Sequence, residues 1–422
     1  MAMAERIMML AIPGFFVLIA IELLLARLIG RKVYRMNDAI SSIALGTLSQ
    51  IVGVFAKVLT IGIYAWVVDR IAVFALPADS IWVWVSGLLL YDFCYYWLHR
   101  CGHEVGVLWA AHAVHHQSER FNLSTALRQT SSGVLLGWVF YLPMAVLGYP
   151  VEVFAVVAVI DLLYQYWIHT ELVPRLGWFD RVFASPSNHR VHHAVNEVYL
   201  DKNYGGILIL WDRLFDSFIE EDPAEPPVYG VRGALHSWNP IWANLAVYRG
   251  LLQTSRQMRR WPDKLKVWLK PPGWAPIENW AEVSKAGFDL NRPEYDPAVS
   301  AAVKTYAFIH FVLVLAMGVH FLGAFRQMET LPALAYAGGI VVGLVTIAAL
   351  LDTRGWGRWA ESLRLLGIAA WTLIVGEWPA AGVIGIWLQT GLVVFVLLSL
   401  LWLWRSPSPH DADTKAVTKP AI

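Results

Sequence analysis

Thirteen histidines occur in this 422-residue chain, and eight of them fall in three tight clusters. His99 and His103 form H-x-x-x-H. His112, His115 and His116 form H-x-x-H-H, and His189, His192 and His193 repeat that pattern. On a helix, residues three and four apart share a face, so each cluster is expected to aim its imidazoles in one direction. Neutral imidazole is a ligand for iron, zinc, copper and nickel. Eight imidazoles suffice for two ions with three or four ligands each. His169, at the end of the apolar run closing on Tyr164-Gln165-Tyr166-Trp167-Ile168-His169, is a ninth candidate. His236 lies in a polar stretch and reads equally as a ligand or a surface residue. His310 and His320 stand without histidine neighbours and read as structural, and His410 sits in a polar tail.

Neutral ligands leave divalent ions with most of their charge, which calls for a bridging hydroxide or oxide and for nearby carboxylates. Asp92, Glu104, Glu119, Asp161, Glu171 and Asp201 stand beside the candidate ligands, with Glu104, next to His103, the first choice. Asp92 and Asp161 fall inside apolar runs, where an ionisable group is costly and is usually functional or paired.

The elements that must carry these residues are membrane helices. The chain is 57% hydrophobic, only 15% charged, and holds 22 Trp, a residue that gathers at membrane interfaces. A bilayer core about 30 Å thick needs roughly 20 apolar residues of helix. Nine stretches come near that, at 7–26, 43–68, 81–98, 133–147, 151–168, 301–321, 331–351, 363–376 and 383–404. The fourth and eighth are short enough to be re-entrant. The fold class expected is therefore all-α and polytopic, with about nine transmembrane or re-entrant helices.

Basic residues set the orientation. Arg27, Arg31, Lys32 and Arg35 follow the first run, and alternation from there puts all three histidine clusters on the cytoplasmic side, the N-terminus outside and the C-terminus inside. The first run ends in basic residues as a signal anchor does, and no cleavable signal peptide is read. Expected regions are N-terminal helices over 1–80, a catalytic region with a cytoplasmic cap over 81–300, a C-terminal bundle over 301–405 and a disordered tail over 406–422. Within the cap, 255–270 is basic and carries Trp261 and Trp268, as a helix lying along the membrane surface would, or an ordinary solvated helix. A net charge of +1 argues against a nucleic-acid partner. Cys94 and Cys101 are too few for a disulfide framework.

The histidine clusters resemble those of the fatty acid hydroxylase / sterol desaturase superfamily, integral membrane di-iron enzymes. Within it the chain is most similar to the alkylglycerol monooxygenase family. The resemblance rests on Trp109-Ala110-Ala111-His112-Ala113-Val114-His115-His116, Asn122-Leu123-Ser124-Thr125-Ala126-Leu127-Arg128-Gln129, Trp167-Ile168-His169-Thr170-Glu171, Pro186-Ser187-Asn188-His189-Arg190-Val191-His192-His193 and Asp201-Lys202-Asn203-Tyr204-Gly205-Gly206 with Trp211-Asp212. It implies two iron ions on the eight cluster histidines (zinc could replace iron on purification), O2 and a membrane lipid as substrates, and tetrahydrobiopterin as reductant. The reaction implied is hydroxylation beside an ether oxygen, which releases an aldehyde and a glycerol derivative. The compartment implied is a bacterial inner membrane or the endoplasmic reticulum. No residue pattern identifies a pterin site, another electron donor or an oligomeric state. The tyrosine- and tryptophan-rich helix ends, including Tyr95, Tyr96, Trp97, Tyr164, Tyr166 and Trp167, read as an aromatic belt or as the lining of a lipid path. Alternative readings are a sterol, carotenoid or fatty acyl hydroxylase or desaturase and, from another class, a histidine-rich metal transporter or sensor.

Overall fold

In a computed structural model, residues 2–278, 280, 288–380 and 382–407 are described. The chain is mostly helical and divides into two compact units. The first comprises 1–235 and 243–293, the second 236–242 and 294–422. The expected tail, with His410, lies almost entirely outside the described residues.

The first unit begins with α1 (Ala2–Leu28), α2 (Met36–Ile71) and α3 (Ile81–Glu104). One extended residue, Val105, separates α3 from α4 (Gly106–His116). Short helices α5 (Leu123–Ala126), α6 (Gly133–Gly137) and α7 (Leu142–Leu147) lead to α8 (Val151–Trp167). The cap follows with α9 (Pro186–His192), α10 (Leu210–Leu214), α11 (Pro240–Gln257), which crosses the unit boundary, and α12 (Trp261–Leu269). Tyr64, Tyr91, Met144 and Val153 lie in the apolar core that joins α2, α3, α7 and α8. The expected boundary near residue 80 therefore does not separate compact units. α1 packs on α5 and α8, and α2 on α5, α6, α7 and α8, all within the first unit.

The second unit contains α13 (Ala301–Ala324), α14 (Thr330–Leu351), α15 (Gly357–Ile374) and α16 (Ile386–Arg405), with two-residue strands β1 (Glu377–Trp378) and β2 (Gly382–Val383) paired antiparallel. Its interior holds a closed polar network. The fully buried Glu361 accepts from Tyr306 at 3.0 Å, Thr346 at 2.6 Å and Arg364, which also reaches His310 at 3.3 Å. His310 is thus tied into this network, apart from the other histidines. His320 meets the Tyr336 hydroxyl at 3.1 Å.

Among the described residues, six helices are long and apolar enough to cross a membrane, at Arg6–Leu28, Met36–Ala56, Ile81–Glu104, Ala301–Gln327, Thr330–Leu351 and Ile386–Arg405. The chain is a membrane protein. The other three expected segments depart from ideal spans for local reasons. The fourth is broken into α6, a 3-10 turn and α7. The fifth, α8, has only 17 residues. The eighth, α15, carries Glu361 and Arg364.

Candidate metal centre

Nine histidines converge in the first unit. His99, His103, His112, His116 and His192 form one group, and His115, His169, His189 and His193 form another. Within each group the ligand-capable ring nitrogens all lie within 4.8 Å of one another. The expectation that each cluster points one way holds for His99 and His103 and fails for the two H-x-x-H-H motifs. Neighbouring helical positions diverge by about 100°, so His115 and His116 cannot share a target. In the first H-x-x-H-H motif, its first and last histidines join the five-membered group and His115 joins the other. In the second motif the roles are exchanged, with His189 and His193 in the four-membered group and His192 in the five. The two groups adjoin, and the His116 and His193 rings stack at 4.3 Å.

Local structure explains the convergence. The break at Val105 lets α4 turn back beside α3, so that His112 Nε2 comes within 3.0 Å of His99 Nε2. α9 is begun by Ser185, whose hydroxyl accepts from Asn188 N at 3.3 Å, and by Pro186 in its first turn. His169 immediately follows the α8 cap residue Ile168, which brings its Nε2 to 3.1 Å from His115 and 2.9 Å from His189.

Backbone carbonyls orient the rings. His99 Nδ1 donates to Tyr204 O at 2.7 Å, His115 to Arg128 O at 2.9 Å, His169 to Gln165 O at 2.7 Å and His192 to Lys202 O at 3.0 Å. Each bond fixes the tautomer that leaves Nε2 with a free lone pair, as metal-bound histidine requires. His103 Nε2 and His192 Nε2 are buried without a hydrogen-bond partner in the protein. Buried polar atoms are rarely left so. Orphaned ring nitrogens inside a set of converging imidazoles fit a metal ion.

Burial, reinforced by neighbouring imidazoles, holds His112, His116, His169, His189, His192 and His193 well below the usual histidine range. Burial brings His115 down to about 4. All seven rings are therefore neutral at physiological pH and competent to coordinate. Aromatic rings close the site. Phe121, fully buried, packs on His169, His189 and His193, and Trp109 packs on His103 and His116.

The carboxylates are placed differently from the expectation that they would accept from the rings. Glu104 pairs with Arg100 at 2.9 Å. Glu171 pairs with Arg31 at 3.0 Å and Glu119 with Arg35 at 3.1 Å. Asp92 accepts from Ile207 N, Leu208 N and Trp211 Nε1, and so ties the loop after Gly206 to α3. Asp161 accepts from Gln165 Nε2 at 2.6 Å. Asp201 alone of the six stands beside a candidate ligand in an ion-pair geometry, 3.9 Å from His103 Nδ1. Carbonyls stand where carboxylates were expected: Arg128, Lys202 and Tyr204, in segments without histidines, and Gln165, in the last turn of α8, present their main chain to the rings. His236 is not in either group. It belongs to the second unit, where its ring meets Tyr295.

Four of the aromatic side chains considered for a lipid path are committed elsewhere. Tyr95 donates to Gln165, Tyr164 to Ala184 O and Tyr166 to Phe15 O, while Tyr96 bonds Ser217.

Three supporting residues were not singled out from the sequence. Arg128 is buried, donates to Val114 O at 2.8 Å and lies 3.9 Å from Asp38, while its carbonyl holds His115. Burial lowers it to about 10, so it stays charged at neutral pH. Asp212, fully buried and pushed up to about 6 by that burial, accepts from Tyr204 N, Gly205 N and Ser217 Oγ, each at 2.7 Å. It thereby sets the turn whose Tyr204 carbonyl holds His99. Glu22, within α1, accepts from Thr170, Tyr34 and Leu123 N. Its signal was available, since an isolated acid inside an apolar run is rarely idle.

The fatty acid hydroxylase family model matches residues 84–217, a stretch containing all nine histidines. Alkylglycerol monooxygenase of Homo sapiens is 35% identical over 359 residues, 84% of this chain and 80% of its own. That of Danio rerio is 36% identical over 360 residues, 84% of this chain and 79% of its own. The ornithine lipid hydroxylase OlsE of Rhizobium tropici is 32% identical over 146 residues, 34% of this chain and 43% of its own. No solved structure matches the chain. Identity of about 35% sustained over 84% of the chain makes it a member of the alkylglycerol monooxygenase family.

Proposed function

We propose that the nine histidines hold two iron ions, and that the chain uses them with O2 to hydroxylate the carbon next to the ether oxygen of an alkylglycerol-type lipid. The observation that carries this reading is the division of nine imidazoles, eight of them buried, into two adjoining groups. The reaction consumes one O2 and two electrons. One oxygen atom enters the C–H bond and the other leaves as water, and the hemiacetal then collapses to an aldehyde and a glycerol derivative. The irons, when bound, supply the reduction of O2 and the oxidation of the C–H bond. The chain supplies the rest. Tyr204, Arg128, Gln165 and Lys202 carbonyls keep the ring nitrogens aimed inward. Phe121 and Trp109 cover the groups and keep bulk water out.

We place the site on the cytoplasmic face of an inner or endoplasmic reticulum membrane, on the Lys/Arg bias. The reductant assigned is tetrahydrobiopterin, by family membership. Because α3 carries two ligands in its last turns, a lipid can bring its glycerol end to the histidines while its chain stays in the bilayer. The test is aerobic incubation of iron-loaded protein with an alkylglycerol and a tetrahydropterin, read by mass spectrometry. Fatty aldehyde is the expected product. An intact ether bearing a new hydroxyl on an acyl chain would instead favour a hydroxylase of the acyl or ornithine-lipid type, the reading suggested by the second kind of relative.

A further inference from the structure

α12 presents two opposite faces. Asp263 and Val267, four residues apart, are buried against the first unit. Trp261, Leu265 and Leu269, spaced by four and half a turn away, are 77%, 63% and 64% exposed. An apolar stripe directed away from its own protein calls for an explanation.

Its surroundings supply one. Between 256 and 270 stand Arg256, Arg259, Arg260, Lys264, Lys266 and Lys270, with Asp263 the one acid, and that acid is turned inward. Lys264 lies over the Trp261 ring at 5.6 Å. The depth of the helix is also fixed. Gly106 N, two residues past the end of the apolar span Ile81–Glu104, donates to Lys270 O at 2.9 Å. The C-terminal end of α12 is therefore held where α3 leaves the bilayer. An exposed stripe of one Trp and two Leu at that level, flanked by Arg and Lys, matches a helix that sinks its apolar side among acyl chains and sets its cations among anionic headgroups.

We propose that α12 docks on the anionic lipid surface of the membrane that holds the protein, with its C-terminal end fastened to the first residue of α4 at Gly106. A Cβ there would lie 2.7 Å from Val267 O and 3.3 Å from both Trp268 O and Lys270 O, so these carbonyls close directly on the first residue of α4. His112, His115 and His116 are on that helix. This inference rests on the membrane span and the contact at Gly106, not on the reaction proposed above, and its test does not depend on turnover.

The test uses the full-length protein with Leu265→Cys carrying a nitroxide, in a Cys101→Ser background, in nanodiscs of phosphatidylcholine alone or phosphatidylcholine with phosphatidylglycerol. Accessibility to O2 and to a water-soluble nickel chelate reads the depth of the label. A label reached by O2 and shielded from nickel, more deeply so with phosphatidylglycerol, is expected. Replacing Arg259, Arg260, Lys264 and Lys266 by Gln should remove the difference between the two bilayers while circular dichroism and metal content stay unchanged. A label open to nickel in both bilayers would overturn the proposal. So would one buried equally in both, or one shielded from both reagents, which would mean that a protein partner covers the stripe.

Discussion

The Thr170 hydroxyl donates a hydrogen bond to the Glu22 carboxylate, joining the residue after His169 to the first membrane helix across 148 positions of sequence. Glu22 also accepts from Leu123 N at 2.8 Å, at the start of α5. One carboxylate thus anchors two segments that orient the four-histidine group. One carries His169, and the other leads to Arg128, whose carbonyl holds His115. Most of α1 is turned away from the unit, with Ala4, Glu22 and Ala26 buried among its described side chains.

Glu22→Ala is therefore expected to loosen both segments. Metal content should fall towards one ion per chain, and activity should fall on the order of 10–100-fold, as when a group supporting a metal ligand is lost. Ile21→Ala, on the exposed side of the same helix, should change neither. Thr170→Val should share much of the Glu22 effect, and the double variant should cost less than the sum. Metal analysis together with product formation checks all four proteins.

The candidate ligands were legible because imidazoles at helical spacing, three times over, have few other uses. Their partition was less so. Which of His115 and His116 serves which group depends on where α3, α8 and α9 come to lie, and cluster spacing alone does not fix that. The supporting residues were least legible. Glu22, Arg128 and Asp212 act through bonds to main chain and hydroxyl groups, some in segments far apart in sequence. Near-neighbour reasoning favoured Glu104, beside His103, yet its carboxylate meets Arg100 one helical turn back. Glu104→Gln is accordingly expected to keep the metal.

Asp212→Asn should weaken the His99 side of the centre. Both Asp212 oxygens accept bonds from backbone or hydroxyl donors in a fully buried position. An amide must turn its NH2 towards one of those N–H groups, leaving a buried donor unsatisfied at a cost of about 1–3 kcal/mol. A lower thermal midpoint, with weaker metal retention under a chelator, is the expected result.

Acid should strip and destabilise the centre. The seven histidines outside α3 have folded-state pKa values below the ordinary value of about 6.5. The unfolded chain therefore takes up protons first as pH falls. The stability from their neutral form is full above pH 6.5 or so and is lost as pH drops towards about 4, where His115 titrates in the folded chain. Protons and metal compete for the same nitrogens over that window. Metal retained after equilibration at stepped pH should hold near neutrality and fall across it. Retention that declines only on the alkaline side would contradict the assignment.

Unequal group sizes make the two halves of the centre separable. Removing His116 from the five-histidine group leaves four imidazoles, still a workable set for a first-row ion. Removing His169 or His189 from the four-histidine group leaves three. His169 is also the ring whose Nε2 comes close to both His115 and His189, so its loss breaks the middle of the group. We expect His116→Ala to retain close to two ions per chain, and His169→Ala and His189→Ala to retain close to one. Turnover should be lost in all three, since each leaves an ion with an altered ligand set. His236→Ala is the control. Its ring packs on Tyr295 in the second unit, so metal content and turnover should both stay at the unmodified level. Equal metal loss in the His116 and His169 variants would show that the nine imidazoles act as one undivided set.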